Sequence, residues 1–178
     1  TVNVSNGGVL TATTVYLKSA GTSGGTLTLD GGTLKADADN ATTLHGVSSA
    51  PDAFHVYAGA AGATIDTDGH AITIGAAIEN KSGETGAVTF AGGGTATLSS
   101  APAYSGTTTV EVGTTLSVPA AIAGSSLAFT LPESLASGFY KVAEVTGGGA
   151  FAARFINCFI FPPLHFHGSC AIIVKEGQ

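Results

Sequence analysis

The amino-acid sequence predicts an all-β fold, a solenoid of the parallel β-helix kind, and its composition, its repeats and its hydrophobic alternation each point there. The 178 residues include 26 glycines, no Met and no Trp, and only 10% are charged. Thr, Val, Ile and Leu recur in short runs that glycine interrupts, which is typical of strands and turns. The apolar fraction of 44% argues against disorder, because disordered chains are poor in apolar residues.

The repeat is a Gly-Thr step followed by a short strand. It occurs at Gly25–Leu29, Gly32–Ala36, Gly94–Leu98, Gly106–Val112 and Gly113–Val118. Apolar residues stand two apart in these and similar stretches, which predicts strands with one buried face. The pairs are Leu27/Leu29, Ile72/Ile74, Val88/Phe90, Ala96/Leu98, Val110/Val112 and Leu116/Val118. Recurrence at roughly 18 to 24 residues favours a solenoid, while propellers and sandwiches stay open as alternatives.

One stretch, Gly86–Val118, resembles the autotransporter-associated β-strand repeat. Its Tyr-x-Gly-x-Thr corner begins at Tyr104 and leads into a Thr-Val strand and then a Gly-Thr-Leu strand. The stretches Gly24–Ala36 and Gly62–Ile78 look like companions of this repeat. The resemblance implies a right-handed parallel β-helix that is exported and acts as a stalk or display scaffold, often with adhesive loops.

The expected function is therefore that of a non-catalytic structural or adhesive module of a secreted or cell-surface bacterial protein associated with the outer membrane. The partners that this resemblance implies are host glycans or surface proteins. Cysteine is absent before Cys158 and Cys170, which fits a passenger that crosses the outer membrane unfolded. The chain opens at Thr1 with strand-like sequence and no initiator Met, so we expect it to be part of a longer parent chain.

Composition divides the chain into a repetitive helix over 1–119, capping strands over 120–150 and an atypical tail over 151–178. In the cap, four residues are expected to face inward: Phe129, Leu131, Tyr140 and Val142. The tail concentrates Phe and is expected to be disordered or artefactual. It holds residue types found in zinc sites, but their order matches no common zinc finger, and we predict no metal site. These residues are Cys158, His165, His167 and Cys170.

The charge of the chain argues against a nucleic-acid partner, and its hydropathy argues against a membrane-spanning helix. The net charge is −6 and the chain has only six basic residues, so no basic patch is available for nucleic acid. No apolar run approaches the roughly 20 residues that a membrane-spanning helix needs. No transmembrane segment is therefore expected, and no motif indicates a cofactor.

An enzymatic alternative rests on Asp66, Asp68 and His70, where two acids and an imidazole stand close in sequence. Alternation predicts that the two acids share one side, and they are the candidate acid/base pair of a carbohydrate-active β-helix enzyme. The favoured interpretation is an ordinary Asp-Thr-Asp-Gly turn. A calcium loop of the EF-hand type is excluded, because its twelfth position falls on Ala77 instead of Glu. Only one arginine, Arg154, is present to hold an acidic sugar.

A second candidate region is the less regular stretch Lys35–Gly59, which we expect to form a loop inserted into the coil. Binding residues concentrate in such loops. The stretch makes the chain a candidate glycan- or protein-binding module. Its candidate ligand-binding residues are Asp37, Asp39, His45, Asp52 and His55.

Thr-x-Thr steps raise one more possibility, a ladder of hydroxyls that binds ice. Such a ladder needs equal spacing between hydroxyls, and the steps recur at unequal intervals along the sequence. The unequal intervals argue against an ice-binding ladder. The steps are Thr11/Thr13, Thr26/Thr28, Thr95/Thr97 and Thr107/Thr109.

Overall fold

The computed structural model describes residues 1–18, 25–47, 54–118, 127–129, 138–141, 154–158 and 171–174. Over these residues the fold is all-β and contains no helix, as the sequence predicts. In chain order the strands are β1 (Val2–Ser5), β2 (Val9–Thr11), β3 (Val15–Lys18), β4 (Gly25–Asp30), β5 (Gly32–Lys35), β6 (Asn40–Val47), β7 (Phe54–Ala58), β8 (Ala63–Asp66), β9 (Ala71–Ile74), β10 (Ile78–Asn80), β11 (Val88–Ala91), β12 (Thr95–Leu98), β13 (Thr108–Val110), β14 (Thr115–Ser117), β15 (Leu127–Phe129), β16 (Gly138–Lys141), β17 (Arg154–Cys158) and β18 (Ala171–Val174).

Three sheets consist of parallel strands and are visited in rotation. Sheet A has the order β1-β4-β7-β10, sheet B the order β2-β5-β8-β11-β13-β15, and sheet C the order β3-β6-β9-β12-β14. From β1 to β12 the chain passes from A to B to C and then returns to A. We call three such consecutive strands, one from each sheet, a coil. Parallel pairing throughout is consistent with a solenoid and differs from the antiparallel pairing of propellers and sandwiches.

The interior is formed by side chains that stack in register from strand to strand. In sheet B, Leu34 pairs with Ile65 and Ile65 with Phe90, and all three are buried. The predicted alternation is confirmed at Leu27/Leu29, Ile72/Ile74, Val88/Phe90 and Ala96/Leu98, all of which are buried. The prediction is wrong for Val112, because β13 ends at Val110 and Val112 is 45% exposed in the turn that follows.

The Tyr-x-Gly corner packs its tyrosine into the interior. Tyr104 is buried, and its hydroxyl shares a 2.7 Å hydrogen bond with the hydroxyl of Thr108. Burial raises the pKa of the Tyr104 phenol, and the bond to Thr108 opposes that rise. The corner therefore anchors the start of β13 to the core of the coil.

The chain divides into two compact units, Thr1–Thr130 and Leu131–Gln178. The second unit contains β16, β17 and β18, which pair antiparallel in that order. The side chains of the four cap residues predicted to face inward lie outside the described part of the chain. The same holds for the side chains of Cys158, His165, His167 and Cys170. Among the described residues, no helix has the length and apolarity to cross a membrane.

Candidate functional site

The structure distributes the predicted site residues over separate corners and faces of the coil instead of gathering them. Asp66 and Asp68 lie at the corner after β8, Asp39 and His70 meet at the edge of sheet C, and His55 lies on the outer face of sheet A. Asp52 lies outside the described residues, and so does the side chain of His45 in β6. The sequence cluster of Asp66, Asp68 and His70 is therefore split in two.

The corner after β8 is a turn in which Asp66 accepts a 2.9 Å hydrogen bond from the backbone N–H of Asp68. Asp68 has a φ of 47°, the left-handed conformation that Asp tolerates better than most residues. Between them Thr67 is fully buried and bonds the next coil: its hydroxyl donates to the Ala91 carbonyl at 2.8 Å and accepts from the Gly94 N–H at 2.9 Å. The turn interpretation of this motif matches these bonds.

Glycine is required where the next coil crosses this turn. A Cβ on Gly92 would lie 2.1 Å from Oδ1 of Asp66 and 2.4 Å from the backbone nitrogen of Asp68. Gly92 also has a φ of 93°, which L side chains rarely adopt. The Asp-Thr-Asp turn and the glycine above it thus form one interlocked corner.

Both carboxylates of the corner face the same ammonium group, and a turn brings them there instead of strand alternation, because β8 ends at Asp66. Lys35 lies with its Nζ 2.9 Å from Oδ1 of Asp68 and 3.9 Å from Oδ2 of Asp66. The hydrogen bond to Asp68, and secondarily the charges of both acids, raise the pKa of Lys35. Sequence reasoning missed Lys35, although its place in its repeat corresponds to that of Asp66, with which it pairs in register.

A second acidic corner, which sequence reasoning also missed, repeats this arrangement. Lys81 lies 2.6 Å from Glu84 and 3.6 Å from Asp30, measured from its Nζ to the nearest carboxylate oxygens. Each acid also accepts a backbone N–H from the turn between β7 and β8, Glu84 from Ala60 at 2.6 Å and Asp30 from Ala61 at 2.9 Å. The acids of both corners are thus engaged with backbone amides and a lysine.

Asp39 and His70 meet at the edge of sheet C. Oδ1 of Asp39 lies 3.3 Å from Nδ1 of His70 and accepts a 2.9 Å hydrogen bond from the Ala71 N–H. The backbone bond from Ala71 is the largest cause that lowers the pKa of Asp39, and His70 adds to it. The Asp39 side chain is 78% exposed, so its carboxylate stays ionised and open to solvent at neutral pH.

A shallow depression of about 380 Å³ lies beside Asp39 on the outer side of sheet C. Its lining combines the Asp39 carboxylate and the Asn40 amide with two hydroxyls and a small apolar floor. The register between β6 and β9 shifts between Asn40 and Leu44, next to this depression. Such irregularities occur often beside functional sites. The lining residues are Asp39, Asn40, Ala71, Ile72, Thr73 and Thr97.

The predicted inserted loop is largely strand, because β6 and β7 occupy much of Lys35–Gly59 and pair in register with neighbouring coils. Asp37, at the corner before β6, accepts a 2.5 Å hydrogen bond from the Thr13 hydroxyl and so ties two coils together. The alternation of apolar residues is weak in β6, which reads NATTLHGV. In β7 it is regular, with Phe54, Val56 and Ala58 two apart, and this signal was missed.

His55 lies on the outer face of sheet A. Its ring stacks on Tyr57 with the ring centroids 5.3 Å apart and the planes 6° from parallel. Its Nδ1 lies 3.2 Å from Oε1 of Glu79, on the adjacent strand. These three residues form a polar aromatic group on the surface of sheet A, separate from Asp39 and from the acidic corners.

In the described ranges, no group of three or more His, Cys, Asp or Glu side chains is arranged to hold a metal ion. Comparison with family models, with curated proteins and with solved structures found no match.

Proposed function

We propose that the chain is a non-catalytic structural or adhesive module of a secreted or cell-surface bacterial protein of the autotransporter type, associated with the outer membrane and covalently part of a longer parent chain. The observation that carries the proposal is that the acidic side chains at the corners bond to the protein's own backbone and lysines. Asp66 and Asp68, like Asp30 and Glu84, are engaged with backbone amides or lysines at the corners of coils. These residues stabilise a stack, which is what a stalk or scaffold requires.

The proposal includes closure of the three sheets into a right-handed β-helix. Rotation of the chain through sheets A, B and C supports closure. Crossovers between parallel strands of one sheet are right-handed in the great majority of proteins, which supports the hand.

A carbohydrate-active enzyme is the principal alternative, and the corner geometry disfavours it. General acid/base catalysis needs an acid and a base that reach the substrate and exchange protons with it. Asp66 instead accepts a backbone N–H, and the next coil crosses close above it at Gly92. Its side chain is 25% exposed, and its carboxylate is engaged by the turn that it stabilises and by Lys35, 3.9 Å away.

The enzymatic alternative is tested by incubating the chain and its Asp66→Asn variant with a panel of plant, microbial and host polysaccharides and measuring new reducing ends and unsaturated products. We expect neither product from either protein. Turnover by the original chain that disappears in Asp66→Asn would overturn the non-catalytic proposal.

The cell-surface location is tested on intact cells of the bacterium that encodes the chain. Brief protease treatment of unbroken cells should release peptides of residues 1–118, while a cytoplasmic marker protein stays intact. Protection of the chain until the cells are lysed would contradict the proposal.

Glycan binding is the second candidate, and the depression beside Asp39 favours it. An exposed, ionised carboxylate accepts hydrogen bonds from sugar hydroxyls, and the hydroxyls of Thr73 and Thr97 donate and accept. Retention of the chain on a printed array of host glycans should fall in Asp39→Asn and persist in Asp37→Asn, since Asp37 does not line the depression. Equal retention of both variants would remove this candidate.

A further inference from the structure

The outer face of sheet C carries hydroxyl side chains in two columns. Along β9, β12 and β14 the outward positions pair in register as Ala71–Thr95–Thr115 and as Thr73–Thr97–Ser117. Between them, on the inner side, lie the buried residues Ile72 and Ala96 and the partly buried Leu116. Five of these six outward positions therefore carry a hydroxyl; we call the six residues the threonine net.

The net has a fixed spacing because the sheet is parallel and its register is unbroken from β9 to β14. Neighbouring strands lie about 4.8 Å apart, and alternate residues along a strand about 6.6 Å apart. The segments that connect the strands differ in length, but the extra residues lie between strands and leave the register unchanged. Of the Thr-x-Thr steps in the sequence, Thr26/Thr28 lies in sheet A, and Thr11 and Thr109 lie in sheet B. Those steps therefore form no single ladder, as the sequence predicts, and only Thr95/Thr97 belongs to the net.

The strands that carry the net, β9, β12 and β14, contain no Asp, Glu, Lys or Arg. The carboxylate of Asp39 lies at the edge of the net, where it accepts a hydrogen bond from the Ala71 N–H. Sheet formation alone does not impose this composition. On sheet A the corresponding outward column runs Asn3–Thr28–Tyr57–Glu79, and on sheet B a threonine column is flanked by Lys35 and Asp66. Within the described strands, the uncharged two-column arrangement is thus a property of β9, β12 and β14 and not of all of sheet C, because β3 ends at Lys18.

Each threonine presents one hydroxyl and one methyl group, and β-branching restricts its χ1 rotation. Held on a strand, these groups keep their positions, so little conformational freedom is lost when they all meet a surface at once. The net itself carries no aromatic side chain, and the charged acceptor Asp39 borders it only beside Ala71. A surface of ordered water offers hydrogen-bonding oxygens at a repeat close to the strand spacing.

We propose that the threonine net binds the surface of ice. Hydroxyls of the net occupy positions of an ordered water layer, and the methyl groups fill the spaces between those positions. This binding would be a further function. The net shares Ala71, Thr73 and Thr97 with the depression beside Asp39, so ice and a glycan would compete for the same hydroxyls.

The test uses the full chain and a slowly growing ice surface. The amount of protein taken up into the ice is compared with that in the remaining liquid, and the growth of crystals below the melting point is measured on the same samples. The original chain should be enriched in the ice, and Thr97→Tyr should lose that enrichment because the bulky ring lifts the central hydroxyls off the surface. Circular dichroism and thermal unfolding of each variant establish that it is folded.

Thr89→Tyr is the matched control, because Thr89 is the outward residue of β11 in sheet B and is also partly buried. It should keep the enrichment. If Thr97→Tyr fails to fold, Thr97→Val and Thr97→Ser replace it. Val removes the hydroxyl, Ser removes the methyl, and each should reduce uptake.

Three results would overturn the proposal. The first is an original chain that is excluded from ice like an unrelated soluble protein. The second is an equal loss in Thr97→Tyr and Thr89→Tyr, which would remove the assignment to sheet C. The third is a Thr97-dependent retention on glycans without uptake into ice, which would assign the net to a glycan instead.

Discussion

The corner after β8 and the outer face of sheet C are both rich in short polar residues, but they use them differently. At the corner, Asp66 and Thr67 bond to backbone groups of their own turn and of the next coil. On the face, Thr95 and Thr97 lie on the outer side of a regular strand, over a buried interior. Substitutions at the corner should therefore change stability, whereas substitutions on the face should change surface behaviour and leave the fold intact.

The largest contrast is expected between the interior and the face of one strand. Phe90 is fully buried in β11, and Thr89 beside it faces outward. Phe90→Ala should lower the free energy of unfolding by about 3–5 kcal/mol, because it removes apolar contacts and leaves a cavity. Thr89→Ala should change it by no more than about 0.5 kcal/mol. Urea unfolding followed by circular dichroism measures both, and similar losses would contradict the assigned inner and outer sides of sheet B.

The next contrast compares two adjacent glycines at the corner. Both have positive φ, but a Cβ on Gly92 would meet the Asp66 turn, whereas a Cβ on Gly93 would meet nothing within 4 Å. Gly92→Ala should cost about 2–4 kcal/mol through steric conflict and backbone strain, and Gly93→Ala about 1 kcal/mol through strain alone. Thermal unfolding of the two variants tests the close crossing of coils; equal costs would show that the crossing is looser than described.

Two buried threonines should respond in opposite directions to the same substitution. Thr67 uses its hydroxyl for two bonds between coils, whereas the hydroxyl of Thr43, equally buried, has no partner within the described structure. Thr67→Val should cost about 1–3 kcal/mol because the Gly94 N–H loses its acceptor, whereas the Ala91 carbonyl keeps the Thr67 N–H. Thr43→Val should stabilise by about 1 kcal/mol. The difference between their urea midpoints reports this contrast, and a loss in Thr43→Val would indicate that its hydroxyl is bonded.

The smallest effect is the pH dependence of the acidic corner at Glu84. The hydrogen bond from Lys81, followed by that from the Ala60 N–H, lowers the pKa of Glu84 below its ordinary 4.5. A lowered folded-state pKa means that the contribution is present above pH 4.5 and is lost as pH falls from there through the lower folded value. The Tm difference between the original chain and Glu84→Gln should shrink over that range, and a difference that grows on acidification would contradict this pairing.

The sequence predicted much of the fold because two-residue alternation and Gly-Thr steps are local signals. Leu27, Ile72 and Phe90 are buried as that alternation indicates. The site was less predictable, because register brings together residues that are distant in sequence. Lys35 lies beside Asp68 only because parallel coils stack. For the same reason His70 pairs with Asp39 and not with Asp68, its neighbour in sequence. Intervals along the chain likewise concealed the columns of the threonine net, since connections of different length join strands of equal register.

That register is the central feature, and cysteine cross-linking measures it most directly. In a chain in which Cys158 and Cys170 are replaced by Ser, the pair Thr64→Cys and Thr89→Cys should form a disulfide on mild oxidation, because these residues are register partners on adjacent strands, about 4.8 Å apart. The pair Thr64→Cys and Thr109→Cys, two strands apart, should not. Equal cross-linking of both pairs, or of neither, would contradict the stack of parallel coils.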